Sequence, residues 1–273
     1  MLAAARKATT EAARRSEHVL SQMLQAQTAE YCRALARQSS LPSDGLVTLW
    51  SFDLKAVKPR SQAQSAGPRI AQVVDRILMD PRASTLLTGH FDGHLAVATS
   101  IWRSAEEFTK TLTLMLQRAA SSQGMTVVGS GWDQLTDEQS PSATWEQACF
   151  AARISKLSHD GTPLGWSQLG AWHLLYRQEW SPRAVQRLSP GCDHLIRHEN
   201  PRLWRTLLVY LDAACDVTTT CTTLHIQRAT LYYRLGRIRE IAGGSLLNDG
   251  WERTSGHLAL KLHAALVDDT DIA

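Results

Sequence analysis

Residues 216–242 decide how this chain is read: Asp216-Val217-Thr218-Thr219-Thr220-Cys221-Thr222-Thr223-Leu224-His225-Ile226-Gln227-Arg228-Ala229-Thr230-Leu231-Tyr232-Tyr233-Arg234-Leu235-Gly236-Arg237-Ile238-Arg239-Glu240-Ile241-Ala242. Asp216 is a good N-cap, because its carboxylate can accept from the open N–H groups of a first helical turn. Val217, Cys221 and Leu224 then recur at helical spacing and can face a small core. His225-Ile226 makes a tight turn, and a second helix follows at once. Within it Leu231, Leu235, Ile238 and Ile241 step by four, three and three, which gives one apolar stripe at about 100° per residue. Gly243-Gly244 ends that helix as a C-cap. Two short helices joined this tightly meet the geometric requirement of a helix-turn-helix.

The face opposite the stripe carries Ala229, Tyr232, Tyr233, Gly236 and Arg237, flanked by Arg228, Thr230, Arg234 and Arg239. The chemistry suits a major groove. Arginine reaches phosphate or pairs bidentately with guanine, tyrosine hydroxyls reach phosphate or base, and the methyls of Ala229 and Thr230 can touch thymine. Thr218, Thr219 and Thr220 would hold phosphates through backbone N–H and hydroxyl groups at the start of the preceding helix. Charge supports this. The chain's net charge is +3, and the segment from Gln227 to Ala242 holds Arg228, Arg234, Arg237 and Arg239 against Glu240 alone, so that helix accounts for the whole excess. An arginine-rich amphipathic helix by itself is usually a solvated surface helix. The short helix before it, the tight turn and the concentrated charge together point to double-stranded DNA.

Outside that stretch, composition mostly excludes. With 44% apolar residues in 273, the chain can bury a core. Cys32, Cys149, Cys192, Cys215 and Cys221 contain no C-x-x-C pair, so neither a zinc ribbon nor a redox motif is expected, and no metal or cofactor. Arg6, Lys7, Glu11, Arg14 and Arg15 rule out a secretory signal, and no run approaches the roughly 20 apolar residues of a membrane helix. A soluble, cytoplasmic protein with no membrane partner is the expectation. The nine Trp read as core anchors.

The chain divides by composition into a helical segment at 1–44, an α+β domain at 45–178, a helical linker at 179–200 and an all-helical domain at 201–273. Leu20, Leu24, Tyr31 and Leu35 share a stripe in the first, with Met23 and Ala34 beside it. In the second, 46–52 reads as a buried strand and Ile70, Val73, Val74, Ile77 and Leu78 mark a helix. Runs at 84–88 and 95–101 are joined by Gly89-His90-Phe91-Asp92-Gly93-His94, a hairpin signal. A helix over 105–120, a strand over 125–129 and a helix over 143–157 follow. This order predicts an antiparallel, ferredoxin-like sheet with helices on one face. Further helices are expected over 182–188, 203–213 and 255–266.

The C-terminal residues resemble the DNA-binding domain of PucR/CdaR-type transcriptional regulators. The resemblance is carried by Leu207-Leu208-Val209-Tyr210-Leu211-Asp212, by Asp216-Val217-Thr218, by the run from Leu224 to Ile238, and by Leu258-Ala259-Leu260-Lys261-Leu262. It implies a bacterial DNA-binding regulator, a homodimer, with a possible small-molecule effector. The family's usual His and Asn stand where this chain has Gln227 and Ala229, and a polar residue where it has Gly236. Loss of the amide at 229 removes a bidentate adenine contact. The resemblance thus implies a DNA-binding set of Thr218, Thr219, Gln227, Arg228, Ala229, Thr230, Tyr232, Tyr233, Arg234 and Arg237. The middle region is similar to the family's degenerate GGDEF-like domain through 126–129, 145–153 and 164–175. There the hairpin reads Phe91-Asp92-Gly93-His94-Leu95, with His94 in the place of a metal-binding carboxylate and Asp53 as a lone remaining acid. One carboxylate does not hold a two-metal site, so no cyclase activity is expected. Family members usually carry an additional N-terminal sensory domain, for which no room is expected in 273 residues, so the expectation is either that the signal enters through the GGDEF-like domain and the N-terminal helix or that the sequence is truncated. Two other readings compete: an enzyme of the cyclase type, and a protein-interaction module whose helix-turn-helix has left DNA.

Overall fold

The computed structural model describes residues 2–39, 41, 45–57, 66–78, 85–101, 105–157, 162–198 and 200–270. These form two compact units, 1–176 and 177–273.

The first unit is built on one five-stranded sheet in the order β2-β3-β1-β4-β5. β1 (Leu46–Ala56) is central, flanked antiparallel by β3 (His94–Ile101) and β4 (Met125–Gln134). β2 (Leu87–Phe91) closes one edge antiparallel to β3, and the two-residue β5 (Leu164–Gly165) runs parallel to β4 at the other. The sheet is therefore mixed rather than wholly antiparallel. The hairpin turns at Asp92 and Gly93, whose φ values of 51° and 85° give the two left-handed residues that a tight two-residue turn needs.

Helices cover both faces, not one as the element order suggested. Strand periodicity explains it. Trp50 and Phe52 of β1, with Leu95 and Val97 of β3, point to one side. There they meet α3 (Ala66–Leu78) through Ile70, Val73 and Ile77, and α4 (Ala105–Ser122) through Leu112 and Leu116. Val47 and Leu49, with Ala96 and Ala98, point to the other and meet Leu20 and Met23 of α1 (Leu2–Leu24), Cys32 of α2 (Ala29–Gln38) and Trp145 of α5 (Pro141–Lys156). Trp50 is wholly buried, and its indole N–H donates to Thr109 Oγ1 at 3.0 Å. The periodic stripe expected across the first 39 residues breaks at 25–28. Thr28 caps α2 by accepting from the Tyr31 N–H, and Tyr31 itself lies exposed.

α5 lies unusually close to β4. A Cβ at Gly129 would stand 2.5 Å from Ala152 O, and one at Gly131 would overlap Ala152 N and Ala148 O. The two glycines, with Ala148, Ala151 and Ala152 opposite, let backbone meet backbone.

The second unit is all helical: α6 (Pro182–Leu188), α7 (Pro190–Arg197), α8 (Pro201–Asp212), α9 (Val217–Leu224), α10 (Arg228–Ala242), α11 (Ser245–Asn248) and α12 (Gly250–Thr270). α7 lay outside the expected elements, and α12 begins five residues before the expected helix at 255. Ser140, Ser181, Ser189 and Asn200 cap α5, α6, α7 and α8, each followed by proline in the first turn. A proline there gives up no helical hydrogen bond, and the capping oxygen satisfies an open N–H. The C-terminus of α8 is fastened to α12 through Asp212, which accepts from His257 Nε2 at 2.7 Å and from Lys261 Nζ at 2.9 Å. Burial acts to raise the Asp212 carboxyl, but these two donors outweigh it and hold it below its usual range. Among the described residues no helix is long and apolar enough to cross a membrane.

Candidate nucleic-acid interface

Asp216 caps α9 as its sequence position predicts: Oδ1 accepts from the Thr219 N–H at 2.7 Å. That bond holds its carboxyl below the usual range. Of the three threonines at the start of α9, Thr218 and Thr219 are exposed. Thr220 is wholly buried, its hydroxyl donating to Asp216 O at 2.6 Å, so it is a packing residue and offers nothing to a phosphate. The turn is made by His225 in the left-handed region, φ 53°, its N–H returned to Cys221 O and Thr222 O. The Ile226 N–H then donates to Cys221 O at 3.0 Å. A histidine at φ above zero costs more than a glycine, and the two returned bonds offset it.

α10 follows with Gln227 as its N-cap residue, and the Gln227 side chain makes no capping bond. Leu231, Leu235 and Ile238 are buried as the stripe predicts, and Ile241 is half-buried. Arg228, Ala229, Thr230, Tyr232, Tyr233 and Arg237 are exposed, Tyr232 by 60% and Tyr233 by 69%. Arg228 Nη2 donates to Thr218 Oγ1 at 3.0 Å and so ties the start of the second helix to the start of the first. Arg237 pairs with Glu240 on its own helix. Arg234 is half-buried, and its Nη1 donates to Thr206 Oγ1 on α8 at 3.0 Å. A Cβ on Gly236 would meet nothing within 4 Å, so no packing in the unit demands glycine there. Gly243, at φ 95°, ends the helix with its N–H on Arg239 O, as the sequence signal indicated.

The first unit holds a second cluster of ionisable groups. Asp53 lies inside β1, at a β-bulge, not after the strand as expected from sequence. His94 Nδ1 is 2.6 Å from Asp53 Oδ1, and Lys156 Nζ of α5 is 3.3 Å from Oδ2. His94 is therefore drawn inward and half-buried. Burial acts to raise the Asp53 carboxyl, but the His94 hydrogen bond and charge and the Lys156 ammonium hold it low. Ser51 Oγ is 3.1 Å from His94 Nδ1, and burial pushes the neighbouring Cys149 thiol up to about 12, which leaves it a poor nucleophile. Among the described residues no group of three His, Cys, Asp or Glu side chains is placed to hold a metal ion.

Residues 203–262 match the model of the PucR C-terminal helix-turn-helix domain. The second unit carries a PucR-type helix-turn-helix domain. The match runs from α8 through α9, α10 and α11 into α12, and Leu207, Leu231 and Leu262 within it are wholly buried. The match is to the DNA-binding domain of PucR-type regulators of transcription and is confined to that segment. Over its length the chain is also similar to the crystal structure of a regulator of polyketide synthase expression from Bifidobacterium adolescentis, at 14% identity and a TM-score of 0.37, over 91% of this chain and 98% of that one. No curated protein matches.

Proposed function

We propose that this chain is a transcriptional regulator that binds operator DNA through its PucR-type domain as a homodimer. The observation that carries the reading is the α9–α10 pair: capped by Asp216, closed by His225, and presenting Arg228, Tyr232, Tyr233 and Arg237 to solvent on one helix. In this reading α10 enters the major groove, and Gln227, Ala229 and Thr230 at its N-terminal end meet base edges. Thr218 and Thr219 take a phosphate, with Arg228 held beside them. Arg234 keeps guanidinium donors beyond the one given to Thr206 and serves the groove margin. Two such helices, one per protomer, would engage half-sites about one helical turn apart.

The first unit, read as a degenerate GGDEF-like domain, serves as scaffold and relay without cyclase chemistry. The observation favouring this is the Asp53 carboxylate, whose two oxygens already face His94 and Lys156. A cation in that place meets an ammonium.

Fluorescence anisotropy with duplexes from the chain's own upstream region tests the reading. Binding specific for one fragment, and falling steeply with salt because counterions are released, is expected. Equal affinity for every duplex, or none, would return the domain to a protein-binding role.

A further inference from the structure

At the free edge of the sheet, α1 takes the outward hydrogen bonds of β2. The Thr88 N–H donates to Ser16 Oγ at 2.7 Å and the His90 N–H to Glu17 Oε1 at 3.2 Å. The strand edge is thereby closed to another chain. Gly89 lets α1 come this close, because a Cβ there would stand 2.6 Å from the Phe91 ring and 3.2 Å from Glu17 Cγ. Between α1, α3 and this edge the structure leaves a cavity of about 410 Å³. Ala13, Ala71 and Val74 give it an apolar floor, and Arg14, Glu17, Asp75 and His90 line the rest.

The charged groups in this cavity do not neutralise one another. Among the described residues the Arg14 guanidinium, the Asp75 carboxylate and the His90 imidazole have no hydrogen-bond or ion-pair partner, and Glu17 uses one oxygen on the His90 N–H. Three elements thus bring a cation, two carboxylates and an imidazole to a small-ligand-sized space. We propose that this cavity binds a small zwitterion of the α-amino-acid class. Arg14 donates two parallel N–H bonds to the ligand carboxylate, and Asp75 with the free oxygen of Glu17 accepts from its ammonium. The floor of Ala13, Ala71 and Val74 takes a short apolar side chain. With one fixed positive and two fixed negative groups, the cavity is mismatched to a dicarboxylate or a phosphate. This assignment stands apart from the DNA-binding reading, since it concerns the first unit alone.

Isothermal titration of the full chain with individual amino acids, and with acetate and ethylamine as single-charge probes, tests it. One or a few apolar amino acids are expected to bind, and neither single-charge probe to match them. Arg14→Ala and Asp75→Asn should each weaken that binding about tenfold or more, the scale of one charge-assisted hydrogen bond. Both residues lie at least partly in solvent, so the variants keep their fold, which unchanged circular dichroism would verify. Binding of no amino acid, equal binding of ethylamine or acetate, or full affinity in Arg14→Ala would each overturn the proposal.

Discussion

Arg234 of α10 and Thr206 of α8 are joined by a 3.0 Å hydrogen bond, and the Thr206 hydroxyl donates in turn to Arg202 O at 2.6 Å. An arginine that the sequence places among DNA-facing residues is thus also a brace between two helices of the domain. Arg237, about five-sixths of a turn further on, pairs among the described residues with Glu240 alone.

That difference separates two variants. Arg234→Ala removes a half-buried charged donor and with it the bond that the Thr206 oxygen accepts, while Thr206 keeps its own bond to Arg202 O, a loss of about 1–2 kcal/mol in domain stability. It should lower the melting temperature as well as the DNA affinity. Arg237→Ala should leave the melting temperature within about 1 °C, since exposed ion pairs on one helix contribute little, and lower affinity alone. Calorimetry beside anisotropy reads both; an unchanged melting temperature in Arg234→Ala would dissolve the brace.

Gly236 gives the opposite pattern. Alanine there meets open space and has the better helix propensity, so Gly236→Ala should stabilise the domain by about 1 kcal/mol. If α10 lies close against a duplex at this point, the same methyl weakens DNA binding. A more stable variant with weaker binding is the expected outcome, and one that binds as well as the parent would move Gly236 off the contact face.

In the first unit, Gly131→Ala should be severe. The new Cβ overlaps backbone atoms of Ala148 and Ala152, which cannot swing aside as a side chain could. α5 must lift from β4, with a loss of about 3 kcal/mol. Gly124→Ala, at a turn with φ 66° and nothing nearby, should cost less, about 1 kcal/mol, from backbone strain alone. Denaturant midpoints of the two variants check the order.

Asp133 makes stability depend on pH. It is 9% exposed, its Oδ2 has no partner among the described residues, and burial pushes its carboxyl up to about 7. Its folded value lies above its unfolded one, so the neutral form favours the fold. The contribution is full below about pH 4 and is lost as pH rises through about 7. Asp133→Asn stays neutral throughout. Its melting temperature should match the parent's near pH 4 and exceed it at pH 8; equal curves across that range would show that the carboxylate finds a donor.

The sequence by itself determined the α9–α10 domain, because everything that defines it is local. A cap and the first N–H groups it serves lie within three residues, a tight turn within two, and an apolar stripe repeats every three or four along one helix. The Ser-Pro and Asn-Pro starts of α5, α6, α7 and α8 are equally local, and α7 was legible at Ser189-Pro190 though its short apolar pattern hid it. Only the tertiary structure decided the rest. Whether one face of β1 or both are covered depends on helices far away in the chain. The inward turn of His94 depends on Asp53, 41 positions before it, and on Lys156, 62 after it. The brace from Arg234 to Thr206 depends on how α10 crosses α8. Spacing along a chain shows which side of a helix a residue occupies. What waits on that side is set by packing, and packing brings together residues that the sequence keeps apart.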